Sequence, residues 1–444
     1  MKPAPLFSAF TLLLAAYVFA APPARAQTPD PLTQALDRKA RAVEPQVIAW
    51  RRDIHAHPEL SNREYRTAAL VAEHLRSLGL EVRTGVAHTG VVGVLRGGKP
   101  GPVVALRADM DALPVTERVD VPFASTVRTE YNGQEVGVMH ACGHDTHTAI
   151  LMGVAQVLAD VKDDLPGTVV FLFQPAEEGA PAGEEGGAAL MLKEGAFDDP
   201  RPEAAFGLHV APAWEAGQIA YRPGGEMASS DGLHIKVKGR QTHGAYPWGG
   251  IDPIVTAAQI VTALQTIPSR QLDVTVAPAI VTVGSIHGGV RGNIIPDEVE
   301  MTGTIRAFDT EMQKDLHRRI RRTAEKIAES AGATAEVNIR IGYPVTYNDP
   351  DLAREMDATL RRVAGDANVL EAPRQMGAED FSYYAREVPG LFFFLGIRAP
   401  GAPLEEYAPN HSPLFKVDER ALVTGVRALS HLAVDYMRMH PSAE

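Results

Sequence analysis

Residues 103–111 read Val103-Val-Ala-Leu-Arg-Ala-Asp-Met-Asp111. A continuous apolar run of this length, without polar alternation, is what a strand needs when both faces of its sheet are covered. This run ends in two carboxylates, Asp109 and Asp111. Working outward, similar runs predict strands over 90–96, 167–173 (Thr168-Val-Val-Phe-Leu-Phe173), 203–210 and 390–397 (Leu391-Phe-Phe-Phe-Leu395). Between them lie helical patterns: Val47 to His55, an apolar helix over about 146–161, and shorter signals at 187–195 and 418–437. Ser61-Asn-Arg-Glu64 has the form of a capping box that would open another helix, with Gly79 placed to stop it. Strand and helix thus alternate, which predicts an α/β domain wound around a mainly parallel sheet.

The stretch 223–340 has another rhythm. Strand 232–238, helix 252–266, strands 279–286 and 297–307, a charged helix 310–331 and strand 334–341 make the order β-α-β-β-α-β, the ferredoxin-like unit. Glu298 to Ala307 alternates strictly, so one of its faces is polar and the other packs. Pro223-Gly224-Gly225 and the segment Pro344 to Pro350 suit the hinges into and out of such an insertion. The expected organisation is a signal peptide at 1–26, a catalytic domain formed by 27–222 and 341–444, and an inserted module at 223–340.

The chain has 444 residues, Lys+Arg 43 against Asp+Glu 55, a formal charge of −12 and 45% hydrophobic residues. That is enough for two cores and too acidic a balance for nucleic acid or an anionic membrane surface as partner. Lys2, an apolar run from Leu6 to Ala21 and the pair Ala24 and Ala26 form the pattern of a secretory signal peptide, with cleavage expected after Ala26 and a periplasmic or secreted product. With a single cysteine there is no internal disulfide framework. An exported protein that keeps one thiol either buries it or holds it by chemistry such as a metal.

Polar clusters fall at strand ends. Asp109 and Asp111 follow strand 102–108, Glu177 and Glu178 follow strand 167–173, and His209 closes strand 203–210. The carboxyl ends of parallel strands line one crevice, where ligands bind. Met139-His-Ala-Cys-Gly-His-Asp-Thr-His147 adds five further donors just before a helix, His140, Cys142, His144, Asp145 and His147, and Asn410-His411-Ser412 adds one in a loop. Thiolate, imidazole and carboxylate together suit zinc, manganese or cobalt. Two such ions can clamp a carbonyl and acidify water, and of two adjacent glutamates one can ligate while the other moves a proton.

These strings resemble the metallopeptidase family of aminoacylases and glutamate carboxypeptidases, in particular its amidohydrolase branch with hippurate hydrolase, N-acyl-L-amino acid amidohydrolase and the plant indole-acetyl-amino acid hydrolases. The resemblance is carried by Ile54-His-Ala-His-Pro-Glu-Leu-Ser61, Arg107-Ala-Asp-Met-Asp-Ala-Leu-Pro114, Met139-His-Ala-Cys-Gly-His-Asp145, Phe173-Gln-Pro-Ala-Glu-Glu-Gly179, Gly207-Leu-His209, Thr242-His-Gly-Ala-Tyr-Pro247, Gly292-Asn-Ile-Ile-Pro-Asp297, Gly377-Ala-Glu-Asp-Phe381 and Asn410-His-Ser412, in order from residue 45 onward. It implies a di-metal catalytic domain with an inserted lid and dimerisation module. It implies metal ligands at Cys142, His144, Glu178, His209 and His411 for two divalent ions, manganese or zinc first, with cobalt or nickel as alternatives. It implies Glu177 as general base, Asp109 as the residue that orients a ligand, and His243 as a lid histidine reaching the partner subunit's site in a homodimer. Asn293 and Arg306 would bind the carboxylate of an N-acyl-amino acid or small peptide.

Two features depart from the broader pattern: Arg107 stands where a metal-binding histidine opens the motif, and Trp248 where many relatives carry histidine. His55 and His57 at a helix end read as structural. Glu379-Asp380 reads equally as a helix cap or as part of a substrate loop, and His140 and His147 read as neighbours of the ligands. Other readings are a cysteine hydrolase with Cys142 as nucleophile, a metal-bearing binding protein for acyl-peptides, and a dipeptidase or carboxypeptidase of the same fold. An assembled Glu177, Glu178, His209 and His411 is superfluous for the first, and a proton shuttle for the second.

Overall fold

The computed structural model describes residues 30–441; the expected signal peptide lies outside them. An eight-stranded sheet runs Glu81–Val86, Gly90–Arg96, Pro166–Gln174, Lys99–Asp109, Ala204–Glu215, Gly390–Arg398, Ile219–Tyr221, Val369–Glu371. Its four central strands, Pro166–Gln174 to Gly390–Arg398, are mutually parallel. Gly90–Arg96 on one side and Ile219–Tyr221 on the other join them antiparallel; beyond these, Glu81–Val86 is antiparallel to the first and Val369–Glu371 parallel to the second.

The unbroken apolar strands have the two-sided burial their sequence requires. Val104, Leu106, Phe171, Phe206 and Phe393 belong to one core, beneath the helices Pro31–Ala56, His144–Ala159 and Leu422–Met439. Their odd-even neighbours Ala105, Leu172, Ala205 and Phe392 belong to a second core on the opposite face, with Phe381 and Tyr384 of the helix Phe381–Glu387.

Three local expectations are corrected. The capping box does not form: the helix starts at Tyr65 without a side-chain cap. Ser61 instead donates to Asp111 at 2.7 Å, and Glu64 accepts from Asn62 N–H, Ala176 N–H and the Thr89 hydroxyl. Tertiary partners have taken both cap residues. His209 does not end its strand, which continues to Glu215. The helix expected from Val47 begins at Pro31 and passes through Pro45.

The inserted stretch folds as a separate four-stranded sheet in the order Ala279–Gly288, Glu298–Ala307, Asp231–Lys238, Thr334–Ile341, antiparallel throughout. Pro253–Leu264 and Thr310–Ser330 pack together against it around their own core. The two segments that cross between this unit and the larger sheet are paired with each other: Gly224–Met227 lies antiparallel to Thr346–Asn348.

Candidate metal centre

Five chain segments converge above the parallel strands. Register puts Asp109 opposite Gln174, and the turn Pro175-Ala176 then delivers Glu177 and Glu178 beside it. Ala176 has φ +54°, a left-handed conformation that costs a non-glycine residue roughly 1–2 kcal/mol. Long-range bonds hold it there. Ala176 N–H donates to Glu64, and the Glu177 and Glu178 amides donate to the two oxygens of Asp111 at 3.1 and 3.0 Å. The Glu177 carbonyl accepts from the Tyr343 hydroxyl at 2.6 Å.

Cys142 and His144 flank Gly143, which has φ +98° and caps the helix His144–Ala159. A Cβ there would lie 2.3 Å from Val210 Cγ2, so only glycine permits this turn against the His209 strand. His411, at φ +70°, is tied by its N–H to the Ala141 carbonyl at 2.8 Å. Asn410 donates to the carbonyls of Cys142 and Val210. The loop carrying His411 is therefore bonded to the two segments that carry Cys142 and His209.

The donor atoms crowd together. Cys142 Sγ is 3.3 Å from His209 Nε2, and His411 Nε2 is 3.1 Å from Glu178 Oε1. Cys142, His144 and His209 form one compact group, Cys142, Glu178 and His411 another, and His144, Glu177 and Glu178 a third. His144 Nε2 is buried and has no hydrogen-bond partner among the described residues. His209 commits Nδ1 to the Val210 carbonyl at 2.8 Å, which leaves Nε2 facing the group. Burial, then His147, keeps His209 well below its usual pKa, the neutral form a metal binds. Burial, then Glu178 and Glu177, pushes the Cys142 thiol up, so a thiolate there needs cationic charge. An unpartnered His144 nitrogen, a neutral imidazole and excess negative charge all fit divalent ions.

The orienting residue differs from the expectation. Asp109 is bonded to His147 Nδ1 at 2.6 Å and to Arg107 at 2.7 Å, and lies 3.7 Å from His144 Nε2. It is Asp111 that meets His144 Nδ1, at 3.2 Å, while also holding both glutamate amides. Asp111 sits two residues beyond Asp109 in the same string, and the two-residue period of the strand sends both carboxylates toward the same edge. Burial opposes ionisation of both aspartates. Arg107, His144 and His147 nevertheless hold Asp109 well below the usual range, and His144 and Ser61 hold Asp111 below it. Burial raises Glu177, as do the nearby carboxylates of Glu379, Glu178 and Asp380.

Arg107 does not replace a metal ligand. It is buried, 1% exposed, and bonds Gln174, Asp109, Glu379 and Asp380. That network answers the question about Glu379-Asp380. Glu379 also accepts the Phe381 N–H, but both acids chiefly balance the guanidinium. His147 uses both ring nitrogens, toward Asp109 and the Val210 N–H. His55 is bonded to Asp145 and Glu117, while His140 is buried with neither nitrogen partnered among the described residues.

A cavity of about 820 Å³ opens over the group, lined by Cys142, Glu177, Glu178, His209 and His411, with Arg306 of the inserted unit also on its wall. Its apolar side includes Trp214 stacked on Phe394, ring centroids 5.1 Å apart. Arg306 makes one bond, to the Ile305 carbonyl, and has no carboxylate partner among the described residues. His243 and Asn293 are elsewhere, in a separate cavity with Arg291, and His243 is exposed.

Such a centre on an α/β sheet defines a metal-dependent hydrolase of amide bonds. Residues 105–435 match the family described as peptidase family M20/M25/M40, and the chain belongs to that family. It is 42% identical to thermostable carboxypeptidase 2 of Saccharolobus solfataricus, across 91% of this chain and 99% of that one. It is 38% identical to IAA-amino acid hydrolase ILR1-like 2 of Arabidopsis thaliana, across 89% and 87%. A Bacillus subtilis crystal structure, described as a dinuclear metal binding peptidase from the M20 family, superposes with a TM-score of 0.74 at 34% identity, covering 90% of this chain and 99% of that one.

Proposed function

We propose that the chain is an exported amidohydrolase that cleaves N-acyl-amino acids, or small peptides, bearing a free carboxylate. One observation supports this most: Glu177, four of the metal-type donors (Cys142, Glu178, His209 and His411) and Arg306, which has no carboxylate partner among the described residues, line a single cavity. Cys142, His144, Glu178, His209 and His411 would hold two divalent ions, with manganese or zinc favoured over cobalt or nickel. When bound, such ions polarise an amide carbonyl and acidify water. Glu177 accepts the proton of the attacking water at its carboxylate and returns it to the leaving nitrogen. Asp111, rather than Asp109, keeps His144 and the glutamate turn in place. Arg306 offers a planar fork to the substrate carboxylate through two charge-assisted bonds. The Trp214–Phe394 wall suits an apolar acyl group.

His243 and Asn293, being outside this cavity, complete a site only across a homodimer, in which the inserted unit acts as a ferredoxin-like lid and dimerisation domain. Cleavage of residues 1–26 would deliver the enzyme to the periplasm or beyond. The carboxypeptidase name among the relatives supports a second reading, a dipeptidase or carboxypeptidase acting at the same free carboxylate.

The test is a panel of N-acetyl-, N-benzoyl- and indole-acetyl-amino acids, their amides, and dipeptides, with manganese, zinc or cobalt added. Free acids should be cleaved and the amides hardly at all; equal cleavage of the amides would remove the carboxylate clamp. Glu177→Gln should keep its metals and lose about 10²–10⁴-fold in turnover.

A further inference from the structure

The peptide between Glu177 and Glu178 joins the proposed base to a proposed ligand, and it is held at both ends. Its N–H goes to Asp111, and its carbonyl accepts the Tyr343 hydroxyl at 2.6 Å. Rotation of this peptide plane would displace both carboxylates, and misplacement of a reacting group by about 1 Å can cost 10²-fold in rate.

Tyr343 comes from a different part of the molecule than Asp111. It lies between the module's last strand, Thr334–Ile341, and the ribbon strand Thr346–Asn348, on the segment that leaves the inserted unit. Its carbonyl accepts the Ser230 N–H at 2.9 Å, from the segment that enters it. Next to it, Gly342 N–H donates to Asp231 at 3.3 Å, and a Cβ on Gly342 would lie 2.0 Å from the Ser230 carbonyl oxygen. The two crossing segments are thus packed backbone to backbone. The Tyr383 hydroxyl donates to the Gly342 carbonyl at 3.2 Å, and the Tyr343 and Tyr383 rings meet edge to face, centroids 6.2 Å apart. From this fixed crossing Tyr343 reaches into the cavity it shares with Ser230 and Arg306, and ends on Glu177.

We propose that Tyr343 is a positioning residue for Glu177, tying the Glu177–Glu178 peptide to the crossing of the inserted module. This rests on Glu177 acting as the general base. Tyr343 acts on Glu177 through one backbone carbonyl.

The experiment is a double-mutant cycle on the metal-loaded enzyme. Tyr343→Phe keeps the ring against Tyr383 and removes only the hydroxyl. Its kcat should fall about tenfold, with KM for a free acyl-amino acid within about twofold and metal content and urea midpoint unchanged. In the Glu177→Gln background, assayed at high enzyme concentration, Tyr343→Phe should cause no further loss, because the group it positions is already inactive. A purely structural tyrosine would lower the midpoint or the metal content, and its loss would multiply that of Glu177→Gln. Wild-type kcat in Tyr343→Phe, or full additivity, overturns the positioning role. Wild-type activity in Glu177→Gln alone would instead overturn the base itself.

Discussion

Replacing Arg107 with methionine asks how the buried acids beneath the active site are tolerated. The guanidinium is 1% exposed and bonds Gln174 at 2.9 Å, Asp109 at 2.7 Å, Glu379 at 2.9 Å and Asp380 at 2.8 Å. Methionine fills much of the same volume but supplies no donor, so three carboxylates lose their shared cation. Even with Arg107 present, burial opposes its pull and holds the Glu379 and Asp380 carboxyls above their usual range. Removing one partner of a buried ion pair costs roughly 3–5 kcal/mol. Since a whole domain is held by about 5–15 kcal/mol, Arg107→Met should bring the catalytic domain close to its folding threshold. Lysine, with one compact charge in place of a fork, should recover part of the loss. The loss should also shrink at lower pH, because acids whose folded pKa is raised are relieved as they take up protons. Equilibrium urea denaturation followed by fluorescence reads this out, Trp50 and Trp214 both lying outside the inserted unit. A loss below about 1 kcal/mol, or one that grows as pH falls, would refute the charge-balance argument.

Asp111→Asn should weaken metal binding about 10–100-fold in chelator competition and slow turnover, since one amide oxygen cannot serve His144 and two N–H groups together; unchanged affinity and kcat would remove Asp111 from the site's framework. Asp37 joins the first and last helices through His431 at 3.1 Å and Arg427 at 2.7 Å. His431, against the opposing effect of burial, and then Arg427 hold its carboxyl below 3.8. Its stabilising share is therefore present above about pH 4 and lost as pH falls further, so the midpoint difference between Asp37→Asn and wild type should narrow from pH 7 towards about pH 3; a constant difference would mean the pair carries no charge-dependent stability.

The sheet was legible because its interior strands carry unbroken apolar runs, and a strand buried on both faces has no other composition available. The donors were legible because they follow those runs, and the family strings sharpened their roles. What escaped were residues whose partners are remote in sequence. Arg107 stands next to Asp109, but Glu379 and Asp380 arrive from 272 and 273 residues away. Tyr343 finds Glu177 across 166 residues and nothing near Pro344 advertises it. Ser61 and Glu64 misled for the same reason: a local motif identical to a cap was spent on Asp111, Thr89 and Ala176.

The strand Gly390–Arg398 lies inside the large sheet, between Ala204–Glu215 and Ile219–Tyr221, although the whole inserted unit separates it from them in sequence. During synthesis the first part of the catalytic domain therefore emerges with a gap in its sheet, one wall of its cavity missing, and His411 still unmade. The helix Leu422–Met439 that packs against Pro31–Ala56 comes later still. No partly made chain can bring Cys142, His144, Glu178, His209 and His411 together, so the proposed metal centre is among the last things the molecule builds. The set that joins His411 to Cys142 and Glu178 therefore closes only after the C-terminal segment has been made.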